Sequence, residues 1–285
     1  GALQVFPDGT RGAFTGLNNW EQPLHRLHPF RLGTADDLRQ ANPYGLFVAW
    51  GSRRIAKLLQ RSPIAGCPNV DSITTEADFP IARLVFHDPQ LPLQASLLHF
   101  SPFLPGATRD SSLPVVLSIV ELTNPTDEVM TVGVLACCLN IVGSWNVGRH
   151  NRVVRRSGLI GLECRRRHNH PWDPRAGQIL LATEERPAGV RPGPDWEVTY
   201  LASWMYAKEA FRANVEDRYL AAWEPFAQEG RLPNLARGRE ATGELDEPMG
   251  ALAVRLRLAP GATRQVRFYY AWFMPNHVYG HQYQR

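Results

Sequence analysis

The stretch from Leu252 to Trp272, LAVRLRLAPGATRQVRFYYAW, decides how this chain folds. Leu252, Val254, Leu256 and Leu258 alternate with Ala253, Arg255 and Arg257. Pro260-Gly261 turns the chain, and Val266, Phe268, Tyr270 and Trp272 then alternate with Arg267, Tyr269 and Ala271. A period of two places alternate side chains on opposite faces of an extended backbone. The pattern predicts two half-buried strands joined by a tight turn, and so an antiparallel architecture.

The same device occurs upstream. Val115 to Leu122 is apolar on nearly both faces. It is followed by the turn cluster Asn124-Pro125-Thr126-Asp127 and by Val129 to Leu139, which carries Met130, Val132, Val134 and Ala136 on one face. Two strands with a short polar turn between them predict a hairpin. Ile81 to His87 alternates, Asp88, Pro89 and Pro92 punctuate, and Leu93 to Phe100 resumes, giving strand, turn, strand. Gly45 to Trp50 adds a short apolar run. Between Ala213 and Gln228 the spacing of Val215, Tyr219, Leu220, Trp223 and Phe226 is helical, with Pro225 as a breaker and Gly230 as a stop. One or two short helical pieces are expected there, and loops over Asp173 to Gly177 and Pro187 to Pro194. No repeat or linker divides the chain. The expected fold is all-β, a large antiparallel sandwich of two sheets with one or two short helices.

Composition agrees. A chain of 285 residues has room for about two domains or one large all-β unit. Hydrophobic residues make up 44% and charged residues 20%, an ordinary globular balance. Gly and Pro number 23 each, which favours many turns and short strands. No apolar run approaches the ~20 residues that span a bilayer. Of the 31 basic residues all but Lys57 and Lys208 are arginine, and the net charge is only +4. The clusters Arg152, Arg155, Arg156 and Arg165, Arg166, Arg167 lie among acidic residues, so a salt-bridged or solvated face is expected, with no nucleic-acid partner. Cys67, Cys137, Cys138 and Cys164 show no disulfide-framework spacing. With no leader visible before Gly1, a reducing, cytoplasmic setting is the expectation.

Motifs for chemistry are absent: no P-loop, no G-x-G-x-x-G, no H-E-x-x-H, no C-x-x-C and no serine elbow. Cys164, His168 and His170, with His150 as a distant fourth, come near a zinc count. Three adjacent arginines oppose a cation there, so no metal and no cofactor are expected. His25 and His28 read as loop residues and Asp36-Asp37 as an acidic helix start. Trp20, Trp145 and Trp172 lie in loop-like stretches where an indole face could stack on a sugar ring, the alternative being packing.

Several phrases follow in order along the chain: Phe79-Pro80-Ile81-Ala82-Arg83, His87-Asp88-Pro89-Gln90-Leu91-Pro92, Phe100-Ser101-Pro102-Phe103-Leu104-Pro105, Asp110-Ser111-Ser112-Leu113-Pro114 and Asn124-Pro125-Thr126-Asp127-Glu128. Trp223-Glu224-Pro225-Phe226, Gly250-Ala251-Leu252-Ala253, Leu258-Ala259-Pro260-Gly261 and Ala271-Trp272-Phe273-Met274-Pro275-Asn276 come later. The series resembles the N-terminal domain of glycoside hydrolase family 116, the family of non-lysosomal glucosylceramidase (bile-acid β-glucosidase) and bacterial β-glucosidases. Asp173 to Tyr206 matches poorly.

The resemblance implies a two-sheet sandwich over residues 1–276, with 277–285 entering a catalytic (α/α)₆ barrel that this chain does not contain. It implies a parent that hydrolyses a β-glucoside or glucosylceramide with retention, through a glutamate nucleophile and an aspartate acid/base in that barrel. No catalytic residue therefore falls on this chain. Trp223, Phe226, Trp272, Pro275 and Asn276 are expected near the barrel dock. The alternatives are a stand-alone carbohydrate-binding sandwich and a structural or partner-binding one.

Overall fold

The computed structural model describes residues 2–15, 42–64, 66–143, 145–169, 173, 176–190, 193, 195–205, 217–243 and 248–276. Fifteen strands follow one another: β1 (Ala2–Val5), β2 (Arg11–Thr15), β3 (Tyr44–Trp50), β4 (Arg53–Leu58), β5 (Ser72–Asp78), β6 (Ile81–His87), β7 (Gln94–Phe100), β8 (Val115–Thr123), β9 (Met130–Leu139), β10 (Arg149–Arg156), β11 (Leu159–Arg166), β12 (Gln178–Glu184), β13 (Trp196–Met205), β14 (Pro248–Leu258) and β15 (Thr263–Phe273). Two helices complete the described chain, α1 (Thr108–Ser111) and α2 (Asp217–Glu229). An eight-stranded sheet, ordered β10-β11-β12-β15-β8-β7-β6-β5, faces a five-stranded sheet ordered β13-β14-β9-β3-β4. All strand pairs within them are antiparallel, and β1–β2 is a separate hairpin. The expected sandwich is what forms.

Two of the expected hairpins are not hairpins. β8 pairs with β7 and β15, whereas β9 pairs with β14 and β3 in the other sheet. β14 and β15 are likewise split between the sheets. Each polar turn is therefore an arch that carries the chain across the core. Alternation alone cannot separate the two cases, because the inward residues face one core from either sheet. The turn chemistry shows what holds the arches. Asn124 Nδ2 donates to Glu128 O (2.7 Å) in its own arch and to Leu258 O (3.1 Å) in the other. Its backbone N–H donates to Ala262 O (3.0 Å), and Gly261 N–H returns a bond to Asn124 O (2.9 Å). One asparagine thus ties both crossings side by side. By contrast β6 and β7 do pair, Ile81 opposite Phe100, as the sequence predicts.

The core between the sheets takes Val120, Leu122 and Phe268 from the long sheet and Met130, Val132, Val134, Leu252, Val254 and Leu256 from the short one. The short sheet is also covered on its outer face. Phe47, Leu135, Cys137, Ala251 and Ala253 form a second cluster with Trp223, Phe226 and Leu232. The helix reaches this face as its spacing predicts, but Pro225 lies inside α2 instead of breaking it. The carbonyl four residues back belongs to Ala221, which is exposed and can meet water. Gly230, at φ +70°, stops the helix and donates to Phe226 O (2.7 Å). Gly133 of β9 lets it sit so close, for a Cβ there would lie 2.7 Å from the Gly230 oxygen.

A polar group is also enclosed. Arg11 is 4% exposed, its guanidinium lies 3.5 Å over the Tyr44 ring, and it donates to the Asn42 carbonyl. His99 is buried near Tyr44, with Nδ1 and Ser118 Oγ sharing a hydrogen bond of 2.8 Å. Burial, reinforced by the Arg11 charge, pushes the His99 pKa well below its usual value.

Two outcomes follow from this packing. Trp223→Ala should lower the unfolding free energy by about 3–5 kcal/mol in a denaturant titration, while Trp145→Ala, at an exposed site, should change it by less than about 0.5 kcal/mol. His99 is neutral when folded and takes a proton near pH 6.5 when unfolded. Its contribution is therefore complete above that value and is lost as pH falls below it. Unfolding midpoints from pH 8 to pH 5 should fall less steeply in His99→Gln than in the native chain; equal slopes would contradict the assignment.

Candidate interdomain surface

The long sheet ends in loops that its strands do not cover. At one end lie the β5–β6 turn, the loop from β7 to β8, the end of β15, the start of β12 and the entry to β10. Of the ten large apolar side chains exposed among the described residues, eight sit at this end. Phe79 occupies the β5–β6 turn at 82% exposure and meets Phe103 edge to face, with ring centroids 5.4 Å apart. Ile81 opens β6 beside them.

The loop that carries Phe103 and Leu104 is built to present them. Gly106 turns at φ +83°, α1 follows, and Ser111 Oγ both accepts from Leu104 N–H and donates to Leu104 O, each at 2.9 Å. Leu113 lies just beyond, and the next residue, Pro114, accepts from Trp272 N–H at 3.1 Å. That bond brings the exposed Phe273 alongside. Gly177 is pressed against this strand end, for a Cβ there would fall 2.1 Å from the Phe273 oxygen.

The third part of this end is the segment between β9 and β10. Asn140 Nδ2 donates to His150 O (3.1 Å), Asn151 Oδ1 (2.9 Å) and Arg165 O (3.0 Å). Buried Arg149 donates to Val142 O and Gly143 O, both at 2.7 Å. These bonds fix a loop whose tip exposes Trp145 and Val147. The result is a row of apolar side chains carried on braced loops.

Arg165, Arg166 and Arg167 lie beside this row, while Arg155 and Arg156 lie at the far end of β10, and ion pairs neutralise much of the charge of both clusters. Glu163 takes Arg152 (2.5 Å) and Arg165 (2.7 Å), Glu185 takes Arg155 (3.1 Å), and Glu240 takes Arg167 (2.5 Å). Cys164 is buried against Cys138 in the core, whereas His168 is exposed. Among the described residues no three His, Cys, Asp or Glu side chains gather around a metal position.

The residues singled out for docking divide in two. Trp223 and Phe226 are 4% and 0% exposed, with their rings against the chain's own short sheet. Trp272 is buried beside Tyr270 at the end of β15. Pro275 is exposed and Asn276 donates to Asp173 O (2.8 Å), both at the apolar end. Of the three candidate sugar platforms, Trp145 is exposed at this same end, while Trp20 and Trp172 fall outside the described residues, as do residues 277–285. Phe79, Phe103, Leu104 and Leu113 were not singled out. Their signal is an apolar residue placed next to a proline or in a turn, out of strand register.

Comparison with known proteins gives the family. Residues 17–285 match the family described as beta-glucosidase 2, glycosyl-hydrolase family 116 N-term. Among solved structures, a polysaccharide lyase aligns over 96% of this chain and 32% of its own, at 8% identity and TM-score 0.41. The α-galactosidase AgaA of Geobacillus stearothermophilus aligns over 96% and 39%, at 11% identity and TM-score 0.31. A protein described as a kojibiose phosphorylase from the human microbiome aligns over 80% and 21%, at 8% identity and TM-score 0.38. The chain spans well under half the length of each of these. The ordered phrases from Phe79 to Asn276 and the family match agree, and the chain belongs to the N-terminal domain of glycoside hydrolase family 116.

Proposed function

We propose that this domain is a non-catalytic support of a retaining β-glucosidase of the glucosylceramidase type, and that it holds the catalytic domain of the same parent protein on the apolar end of its long sheet. The observation that carries the reading is the concentration of exposed apolar side chains at the end where β15 finishes and Pro275 and Asn276 lead away. Isolated apolar side chains are normal on a surface, but a contiguous set marks a contact. Interfaces between domains of one chain bury roughly 600–1,500 Å².

Retaining hydrolysis needs two carboxyl groups about 5–5.5 Å apart across the sugar. Here the charged side chains at the long sheet's β10–β12 edge are engaged with arginine, as Glu163 and Glu184 are. That supports a structural part in the reaction. In this reading Trp145 is a docking residue and not a sugar platform.

Two measurements test the proposal. The purified chain should not release an aryl aglycone from a β-glucoside; turnover that disappears when one of its own carboxylates is changed would reverse the assignment. Phe79→Ser with Phe103→Ser should leave the unfolding free energy of this chain within about 1 kcal/mol. In the parent enzyme the same pair should lower the thermal midpoint of the catalytic domain and speed proteolytic cleavage between the domains. Unchanged midpoint and cleavage would remove the docking surface from this end.

A further inference from the structure

Two sulfur atoms meet inside the sandwich. Cys138 on β9 and Cys164 on β11 belong to different sheets, both are wholly buried, and their Sγ atoms lie 3.8 Å apart. We propose that Cys138 and Cys164 are an inter-sheet disulfide site, closed when the chain folds in the presence of a disulfide oxidant.

The geometry on either side holds the pair together. Asn140, two residues beyond Cys138, donates to Arg165 O, the carbonyl next to Cys164, so the backbones that carry the two thiols are pinned across the sheets. Gly250 stands opposite Cys138 on β14, and a Cβ there would come within 3.0 Å of Leu162 Cδ1. The missing side chain at Gly250 leaves room for Leu162 of the opposite sheet to reach in at this corner. An S–S bond is about 2.05 Å long, so from the 3.8 Å contact the sulfurs must close by about 1.8 Å.

A structural reason for two buried cysteines also exists, since the thiol behaves as a small apolar group. Two observations favour a site. The sulfurs touch each other, and they do so across the sandwich, where a bond would fasten one sheet to the other. The neighbouring Cys138 thiol and burial raise the Cys164 pKa well above its usual value, which makes the folded Cys164 thiol slow to react. The reaction therefore belongs to the unfolded or opened chain. There the thiolate of one cysteine attacks oxidised glutathione, forms a mixed disulfide and expels one glutathione thiolate. The thiolate of the second cysteine then attacks the protein sulfur and expels the other. Two thiol protons are lost, two glutathione thiols form, and one S–S bond links β9 to β11.

The test is to unfold the chain, refold it in a buffer of reduced and oxidised glutathione, and compare it with chain refolded under reduction. Two of the four cysteines should become unreactive to a thiol reagent in denaturant, with the mass lower by about 2 Da. Peptide mapping should join the Cys164 peptide to the one that holds Cys137 and Cys138. Cys137→Ser should keep the link, and either Cys138→Ser or Cys164→Ser should remove it, each variant checked for native circular dichroism. The oxidised form should melt about 5–10 °C higher. Incubating the native chain with oxidised glutathione in sub-denaturing urea gives a second readout that needs no refolding or variant. Four free thiols in correctly folded chain would overturn the proposal, as would a Cys67–Cys137 link in its place.

Discussion

The ladder between β9 and β14 is the constraint on which the rest of this domain depends. Met130 to Leu139 runs against Met249 to Leu258 in unbroken register. Nearly every residue of both strands is out of water, on both faces. An antiparallel sheet can leave one face wet, but this one cannot, because Leu135, Cys137, Ala251 and Ala253 point away from the main core and are apolar. A second layer is therefore compulsory. α2 provides it, and its seat depends on small residues: Gly45, Gly133 and Gly230 stand where a Cβ would strike Trp223, the Gly230 backbone or Phe47. Short side chains on the sheet and large rings on the helix are two halves of one packing solution.

The long sheet is made on the opposite plan. Its inner face supplies Leu84, Leu97, Val120, Leu162 and Phe268, while its outer face keeps charge and hydroxyl groups such as Arg267, Glu184, Thr123 and Thr263. Arg152 and Arg165 stand on that wetter side, paired with Glu163, whereas Arg155 is on the opposite face, lies over the Tyr200 ring of the short sheet and pairs with Glu185. Each exposed pair adds little stability. Their use is to let arginine-rich strands stay folded and soluble at a sheet edge, where an apolar strand would invite pairing with another chain.

Much of this was legible in the sequence. Period-two alternation located β6, β7, β8, β9, β14 and β15 closely, and helical spacing with a following glycine located α2. What alternation could not give was the partner of each strand, since an arch and a hairpin share one pattern. Asn124, bonded into both arches, shows the difference only in three dimensions. β10 and β11 were illegible for another reason: Arg152, Arg155, Arg156 and Arg165 interrupt the apolar run, and at a sheet edge one covered face suffices. Trp223 and Phe226 were placed near the barrel dock by the resemblance, and the structure buries both against the short sheet. The apolar outer face of β9 and β14 accounts for them. Cys138 and Cys164 are 26 residues apart, so no spacing rule could bring their sulfurs together across two sheets.

The contact surface proposed above falls at an end of the sandwich for a related reason. One face of the long sheet is committed to the core, and the other mixes charged residues with half-buried Val85, Leu98, Leu117 and Ile119, none of them a fully exposed apolar side chain. The short sheet is covered on both sides, by the core and by α2. What remains are loops, and loops ordinarily expose polar residues. The loops at the β15 end depart from that rule at Phe79, Phe103, Leu104, Leu113 and Trp145. They also carry more bracing than an idle loop needs, from Ser111, Asn140 and Arg149. Rigid loops that present apolar rings lose little entropy when covered. A surface of that kind gains most from a partner held permanently in place, which is the relation between two domains of one polypeptide.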